Sequence, residues 1–334
     1  MAPTSTPWLP EALSNTARAA EGGFHSTRAF LDLLWGYVMS IWFNGPTRAG
    51  LSRLFSMIYY VIDKVFIQSS LFMYFLLPVL GLWLLYRVYR FLSDGYEAYL
   101  DLGRGGTPST FKGWTRTVFL KWCACLDVLQ PPRVPPFLDP YRGRLFNLPE
   151  RTGTRPTMKG VAPQRQSDQK ASPSTFYRLS NMLAAEAQTH PDRLNINTSF
   201  LEGHLHALRR VIPEGQPLGR EDKNGTWEFG GEIAHPHRLD GSMHVVLHPE
   251  DVRTVIEAGW GERHPLAIAT PAWKFLHHYL EDNRRPVPEY LVILYAPRTA
   301  REYDVYQEIV RAAVWFATGG EIYPVDEHTY PMEE

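Results

Sequence analysis

The sequence predicts an α+β fold: a small, mostly antiparallel sheet with packed helices, preceded by an N-terminal transmembrane helix and a proline-rich arm. Three observations predict it. A run of 22 uncharged residues lies between Lys64 and Arg87. Short strand-like and helix-like segments of mixed order follow Ser172. Asp240-Gly241, flanked by the strand-like stretches Glu232–His237 and Ser242–His248, is a hairpin signal.

The chain has 334 residues, 44% of them hydrophobic, with 34 Lys/Arg against 35 Asp/Glu. That is enough for a globular domain and something further. The further part is the uncharged run Val65–Tyr86, about the length that crosses a ~30 Å hydrocarbon core. Pro78 and Gly81 are tolerated inside a membrane helix, and Trp83 and Tyr86 fit an interfacial aromatic belt. Leu33–Phe43 is shorter and is interrupted by Asn44-Gly45-Pro46, which predicts an interfacial or re-entrant helix. Residues 1–28 lack a secretory apolar core, and Glu11 and Glu21 argue against a transit peptide. The organisation expected is an N-terminal region (1–63), an anchor (64–92), a basic membrane-proximal arm (93–171) and a catalytic domain (172–334).

From Arg104 to Arg178 there are 13 Lys/Arg against four Asp/Glu. This excess puts the segment, and the domain behind it, on the cytosolic side of a single-pass anchor in the endoplasmic reticulum or another endomembrane. Anionic membrane lipid is the partner it implies, and no nucleic acid is expected. Two sequons, at Asn197 and Asn224, would be used only if the topology were reversed. Cys123 and Cys125, the two cysteines, exclude a disulfide framework. They sit in Phe111–Leu129, an amphipathic interfacial stretch with apolar Trp114, Phe119, Trp122 and Leu126 and basic Lys112, Arg116 and Lys121. Residues 130–172, rich in proline, read as an extended arm wrapping the domain.

Within the domain a helix is expected from Ser172 to about Thr189 and a strand around Leu194–Phe200, followed by an unassigned segment to Val211. A helix opens at Pro249-Glu250-Asp251 and closes at Gly259. Ile268–Pro288 reads as a helical lid or packing loop, Tyr290–Tyr295 as a strand, and Thr299 to about Thr318 as the final helix.

Five of the 12 histidines fall between Glu232 and His264. If Asp240-Gly241 is a two-residue turn, His237 faces His244, His235 faces Val246 and Ile233 faces His248. The period of two then collects four imidazoles on one sheet face, with Glu232 on the other. Pro236, which cannot donate a ladder bond, implies an edge strand or a bulge. Met243, Val245 and Leu247 form an apolar opposite face. Imidazoles so gathered suit proton abstraction, metal ligation or oxyanion stabilisation.

Several blocks, in order, resemble the fungal luciferase family: Gly153-Thr-Arg-Pro156, Gln164-Arg-Gln166, Glu232–His237, Ser242–Leu247, Gly259–Ala267 and Leu294–Arg298. They extend over roughly residues 95–323. The resemblance implies a membrane-anchored oxygenase that adds molecular oxygen to an electron-rich hydroxypyrone similar to 3-hydroxyhispidin, with loss of carbon dioxide. It implies no cofactor and no metal, oxygen being a co-substrate. The chemistry needs a base, cations for the enolate and peroxide, and a dry pocket. His235, His237 and His244 are the candidate catalytic residues; Arg155, Trp260, Arg263, His264 and Arg298 are the candidates for binding a small phenolic or pyrone substrate. Two departures from the light-emitting members leave emission open: the turn Arg238–Gly241 is shorter and lacks a further histidine, and Ile268–Pro288 is longer. A His-ligated zinc, iron or copper enzyme acting on a related polyketide is one alternative. A membrane-tethered carrier without catalysis is the other.

Overall fold

A computed structural model describes residues 56–60, 72–136, 138, 141–212, 229–267 and 286–325. The chain divides into two compact units, residues 1–92 and 93–334. A π-helical turn, Phe72–Leu76, begins in the first and runs into helix α1, Leu77–Leu100, whose last residues from Ser93 belong to the second. Among the described residues, the stretch Tyr74–Leu100 is the one helix long and apolar enough to cross a membrane, and none of its most apolar window is buried. The start of the expected span and the Leu33–Phe43 segment lie outside the described residues.

In the second unit, helix α2 (Phe111–Trp122) is capped by the Thr110 hydroxyl, which accepts from the Gly113 amide. The expected amphipathic stretch Phe111–Leu129 is helical only as far as Trp122, and it differs at Trp114. That ring is buried, whereas Trp122 and Leu126 are among the most exposed apolar side chains. Strands β1 (Met158–Lys159) and β2 (Arg165–Gln166) form a small antiparallel ladder within the arm. Then come helix α3 (Pro173–Thr189), strands β3 (Leu194–Thr198), β4 (His206–Arg210), β5 (Glu232–Pro236) and β6 (Met243–Val246), helix α4 (Pro249–Glu257), strands β7 (Gly261–Arg263) and β8 (Leu291–Leu294), and helix α5 (Ala300–Ala317).

Strands β3 to β8 make one six-stranded sheet in the order β3-β4-β5-β6-β8-β7, antiparallel throughout. The expected α+β class and antiparallel centre hold. The unassigned segment before Val211 supplies β4, which its own polarity hides because only Ala207 and Leu208 are fully buried in it. Helix α5 begins at Thr299, whose hydroxyl accepts from the Glu302 amide, and buries Tyr306, Ile309, Val310, Ala313 and Phe316. It lies against β5 and β6, while α3 packs on β3, β4 and β5. Of Ile268–Pro288, all but the last three residues fall outside the described residues.

Both faces of the β5–β6 hairpin are covered. Met243 and Val245 join the main apolar core, as their alternation requires. The histidine face lies under the arm, whose Gln166 bonds its amide to Asp240 Oδ2 (2.6 Å) and accepts from the Ala296 amide (2.9 Å). The arm thus closes over the sheet instead of leaving that face in solvent.

Candidate functional site: a buried histidine cluster

The β5–β6 register pairs His235 with His244 and Pro236 with Met243. This differs from the two-residue turn expected at Asp240-Gly241, which set His237 opposite His244. The loop is the four residues Arg238–Gly241: the His237 amide donates to the Ser242 carbonyl and the Gly241 amide returns to the His237 carbonyl. Asp240 is the reason. Its carboxylate accepts from the Ser242 amide and hydroxyl (3.0 and 2.8 Å) and from Gln166, an Asx-type arrangement that wraps the turn around the side chain. The resulting shift is two residues, an even number, so His235, His237 and His244 still share a face.

Pro236 is in the interior of the sheet order, not at an edge. It escapes the ladder requirement because β4 pairs with β5 only as far as Ala234. The bulge lies instead between Leu208↔Ala234 and Arg209↔Glu232, which leaves Ile233 as the extra residue. That bulge corrects the expected position of Glu232: its carboxylate comes to the histidine face and meets His235 Nδ1 at 2.5 Å.

Each imidazole is held through one nitrogen. His235 Nδ1 donates to Glu232, an acceptor that also receives the Ser199 hydroxyl and the Phe200 and Leu201 amides. His237 Nδ1 contacts Ser242 Oγ at 2.8 Å; that hydroxyl donates to Asp240, so the ring N–H is the donor. His244 Nε2 donates to Gln164 Oε1 at 3.2 Å, the Gln164 amide nitrogen being directed to Glu262. The remaining nitrogens therefore carry lone pairs in the neutral rings. They meet in one place: His237 Nε2 is 3.1 Å and His235 Nε2 3.2 Å from His244 Nδ1. All three side chains are buried.

Burial, reinforced by the Arg165 guanidinium and the neighbouring rings, holds His237 well below the ordinary histidine value. Burial, with the neighbouring His235 and His264 rings and the Arg165 guanidinium, does the same to His244. Burial pushes the Glu232 carboxyl up, but the His235 ring and the hydrogen bonds from Ser199 and Leu201 outweigh it and keep the group ionised. Glu202 adds a second carboxylate, gripped bidentately by Arg165 at 2.9 and 2.7 Å, with Oε1 3.8 Å from His237 Nε2.

A cavity of about 110 Å³ opens beside the cluster, lined among others by His244, His264, Gln164, Glu202, Leu120 and Leu291. His264 is brought to the site as expected, with its ring centroid 5.3 Å from that of His244. Its Nδ1 accepts from the Leu266 amide and burial pushes it down to about 3, so it is a neutral wall of the cavity.

The other expected binding residues are elsewhere. Arg155 donates to the Ile256 and Gly261 carbonyls (2.6 and 3.3 Å) and pins the arm. Trp260 is a core residue whose Nε1 donates to the Pro149 carbonyl. Arg263 binds the Ala267 and Gln130 carbonyls, and Arg298 pairs with Glu302 and the Thr152 carbonyl. These three arginines hold backbone carbonyls, of which those of Gln130 and Thr152 belong to the arm. The cation on the cavity wall is Arg116 of α2. His248 leaves the expected quartet too: it caps α4, accepting from the Glu250 amide, and packs against Trp315 and Phe316. Sequence reasoning named neither Glu202 nor Arg165 as a site residue. Gln164 and Arg165 lay within a block resembling the family, but no local signal connected Glu202 to the hairpin.

Residues 230–313, which carry the three clustered histidines and His264, match the luciferase domain family model. Over 239 residues the chain is 29% identical to a luciferase of Neonothopanus nambi, covering 67% of this chain and 80% of that one. Luciferases of Armillaria gallica and Armillaria ostoyae are 28% and 26% identical, each over 69% of this chain and 83% of theirs. The chain is similar to the fungal luciferases. No solved structure matches it. The similarity supports a luciferase-like enzyme, and the matched residues are those in which β5, β6 and β8 assemble the histidine face.

Proposed function

We propose that the chain is a membrane-anchored, luciferase-like oxygenase whose reaction centre is the cluster of His235, His237 and His244. The observation that carries this reading is the convergence of three imidazole nitrogens, His237 Nε2 and His235 Nε2 each within 3.1 to 3.2 Å of His244 Nδ1, beside a cavity that His244 lines. A proton taken up there can be shared among the three rings, with Glu232 and Glu202 at hand to balance its charge. The substrate class that fits is an enolisable hydroxypyrone of the 3-hydroxyhispidin type, because its enol proton supplies that charge and its enolate is electron-rich enough to meet oxygen directly.

In this reading His244, on the cavity wall, takes the enol proton, and the N···N contacts of 3.1 and 3.2 Å share it with His237 and His235. Glu232 and Glu202 balance the charge. A carbon–oxygen bond then forms as the ring carbon is oxidised and oxygen is reduced to a peroxide. Ring closure of that peroxide and loss of carbon dioxide complete the sequence. Exclusion of water by the arm strengthens each of these electrostatic contacts.

The test is oxygen uptake and light emission by membranes containing the full chain, supplied with 3-hydroxyhispidin and simpler hydroxypyrones. Substrate-dependent uptake that drops ~10²–10⁴-fold in His237→Ala or His244→Ala is expected. A folded double variant that oxidises substrate at the parent rate removes the cluster from the reaction.

A further inference from the structure

The geometry points to a mononuclear site for a divalent first-row transition ion, held by His235 Nε2, His237 Nε2, His244 Nδ1 and a Glu202 oxygen. It rests on the reading of the cluster as the reaction centre and changes what occupies that centre.

A single proton is more modest than the site that would hold it. One N–H···N bond satisfies two ring nitrogens on a line, yet here a third imidazole lone pair and a carboxylate oxygen converge on the same point. The four donor atoms all lie within 4.8 Å of one another. The resolved pairs are 3.1, 3.2 and 3.8 Å. Metal–nitrogen bonds of about 2.0–2.1 Å in a tetrahedral site place neighbouring donors about 3.3 Å apart, the same scale. Lone pairs at these distances repel unless a cation lies between them, and every donor side chain is buried, which raises the cost of leaving them unpaired.

The surroundings are those of ligands in a prepared site. Each ring is oriented through its other nitrogen: His235 by Glu232, His237 by the Ser242–Asp240 pair, His244 by Gln164. Histidines that bind metals are fixed in this way, which sets the tautomer and raises the basicity of the free nitrogen. Arg165 likewise fixes Glu202. Imidazole with one carboxylate suits iron, copper, nickel or zinc and excludes the oxygen-only preferences of magnesium and calcium. His264, whose Nδ1 accepts from the Leu266 amide, is outside the donor set. An ion that takes a fifth ligand beside these four, as iron, nickel and copper do, would meet it from the cavity that both His244 and Glu202 line.

The experiment uses the full chain purified in detergent, stripped with a chelator and titrated with Co²⁺ alone and with Zn²⁺ alone. The expected result is one equivalent bound per chain, with visible absorption of the bound Co²⁺ that disappears on adding Zn²⁺. Glu232→Gln, which loosens the ring it orients, weakens binding about 10–100-fold, and Glu202→Gln or His237→Ala by at least as much. His206→Ala, exposed on β4, leaves binding unchanged. Circular dichroism checks that each variant is folded. Absence of stoichiometric binding by the folded parent, or undiminished binding by a folded variant lacking both Glu202 and His244 side chains, overturns the site. Full-rate oxidation of 3-hydroxyhispidin by the stripped protein overturns the metal and leaves the oxygenase reading standing. Tight binding without any oxygen uptake leaves the metal site and removes the oxygenase reading.

Discussion

Glu232 and His235 lie three residues apart on one strand and share a 2.5 Å hydrogen bond, because the bulge at Ile233 turns both side chains to the same face. Glu232 is also the acceptor for the Ser199 hydroxyl and the Phe200 and Leu201 amides. Glu232→Ala would leave those buried donors without a partner. It is expected to destabilise the fold by about 3–5 kcal/mol in urea unfolding. Glu232→Gln retains an acceptor oxygen and should cost clearly less, while still lowering turnover. Equal stability of the alanine variant and the parent would show that the network does not hold β5 to the Ser199–Leu201 turn.

The arginines divide by role. Arg116→Ala, on the cavity wall, is expected to raise KM for an anionic pyrone about tenfold, the loss of one charge-assisted contact of about 1.4 kcal/mol. Arg155→Ala removes two hydrogen bonds to carbonyls at the α4–β7 corner, so it should lower stability by about 1–3 kcal/mol with KM unaltered in the folded fraction. Steady-state kinetics beside thermal unfolding separates the two. The reverse pattern would return Arg155 to the substrate.

His248 caps α4 and takes no part in the cluster. His248→Ala should cost about 1 kcal/mol of stability from the lost cap, plus whatever its contacts with Trp315 and Phe316 contribute, and leave oxygen uptake per folded molecule at the parent rate. A fall in turnover comparable to that of His244→Ala would contradict this division.

Asp251 gives a pH dependence. It is fully buried in the first turn of α4, accepts from the Leu145 amide at 2.7 Å, and its Oδ2 has no hydrogen-bond partner. Burial raises it from its ordinary 3.8 to about 7. Between those values the folded state holds a proton that the unfolded state has released, so stability is greatest at the acid end of the window. It should fall by roughly 2–4 kcal/mol as the pH rises from about 4 to 7. Asp251→Asn keeps the acceptor and carries no charge. Its unfolding free energy should show a correspondingly smaller loss over that range, measured in denaturant at intervals of pH. A slope identical to that of the parent would mean Asp251 ionises in the fold at its ordinary value.

Orientation is testable at Asn197, a sequon exposed on β3. With the domain in the cytosol it should carry no sugar, and endoglycosidase treatment should not change the mobility of the full-length protein. Sugar on Asn197 would place the domain in the lumen.

The sequence by itself determined the local elements and the parity of the histidines. Capping residues, helical spacing and apolar alternation act within about a dozen residues, so α3, α4, α5, β3 and β8 were legible, as was the shared face of His235, His237 and His244. The tertiary structure decided what surrounds those rings. The even register shift came from Asp240 bonding to Gln166 in the arm, and the position of Glu232 from a bulge set by pairing with β4. Glu202, Arg165 and Gln164 reach the cluster from segments 30 to 80 residues away, through contacts no local pattern encodes. The arginines looked like anion binders because their charge is visible in a sequence; their use as partners for backbone carbonyls is visible only once the chain has closed over the sheet. A side chain's chemistry is a local property, but its partner depends on which distant backbone the fold leaves unpaired.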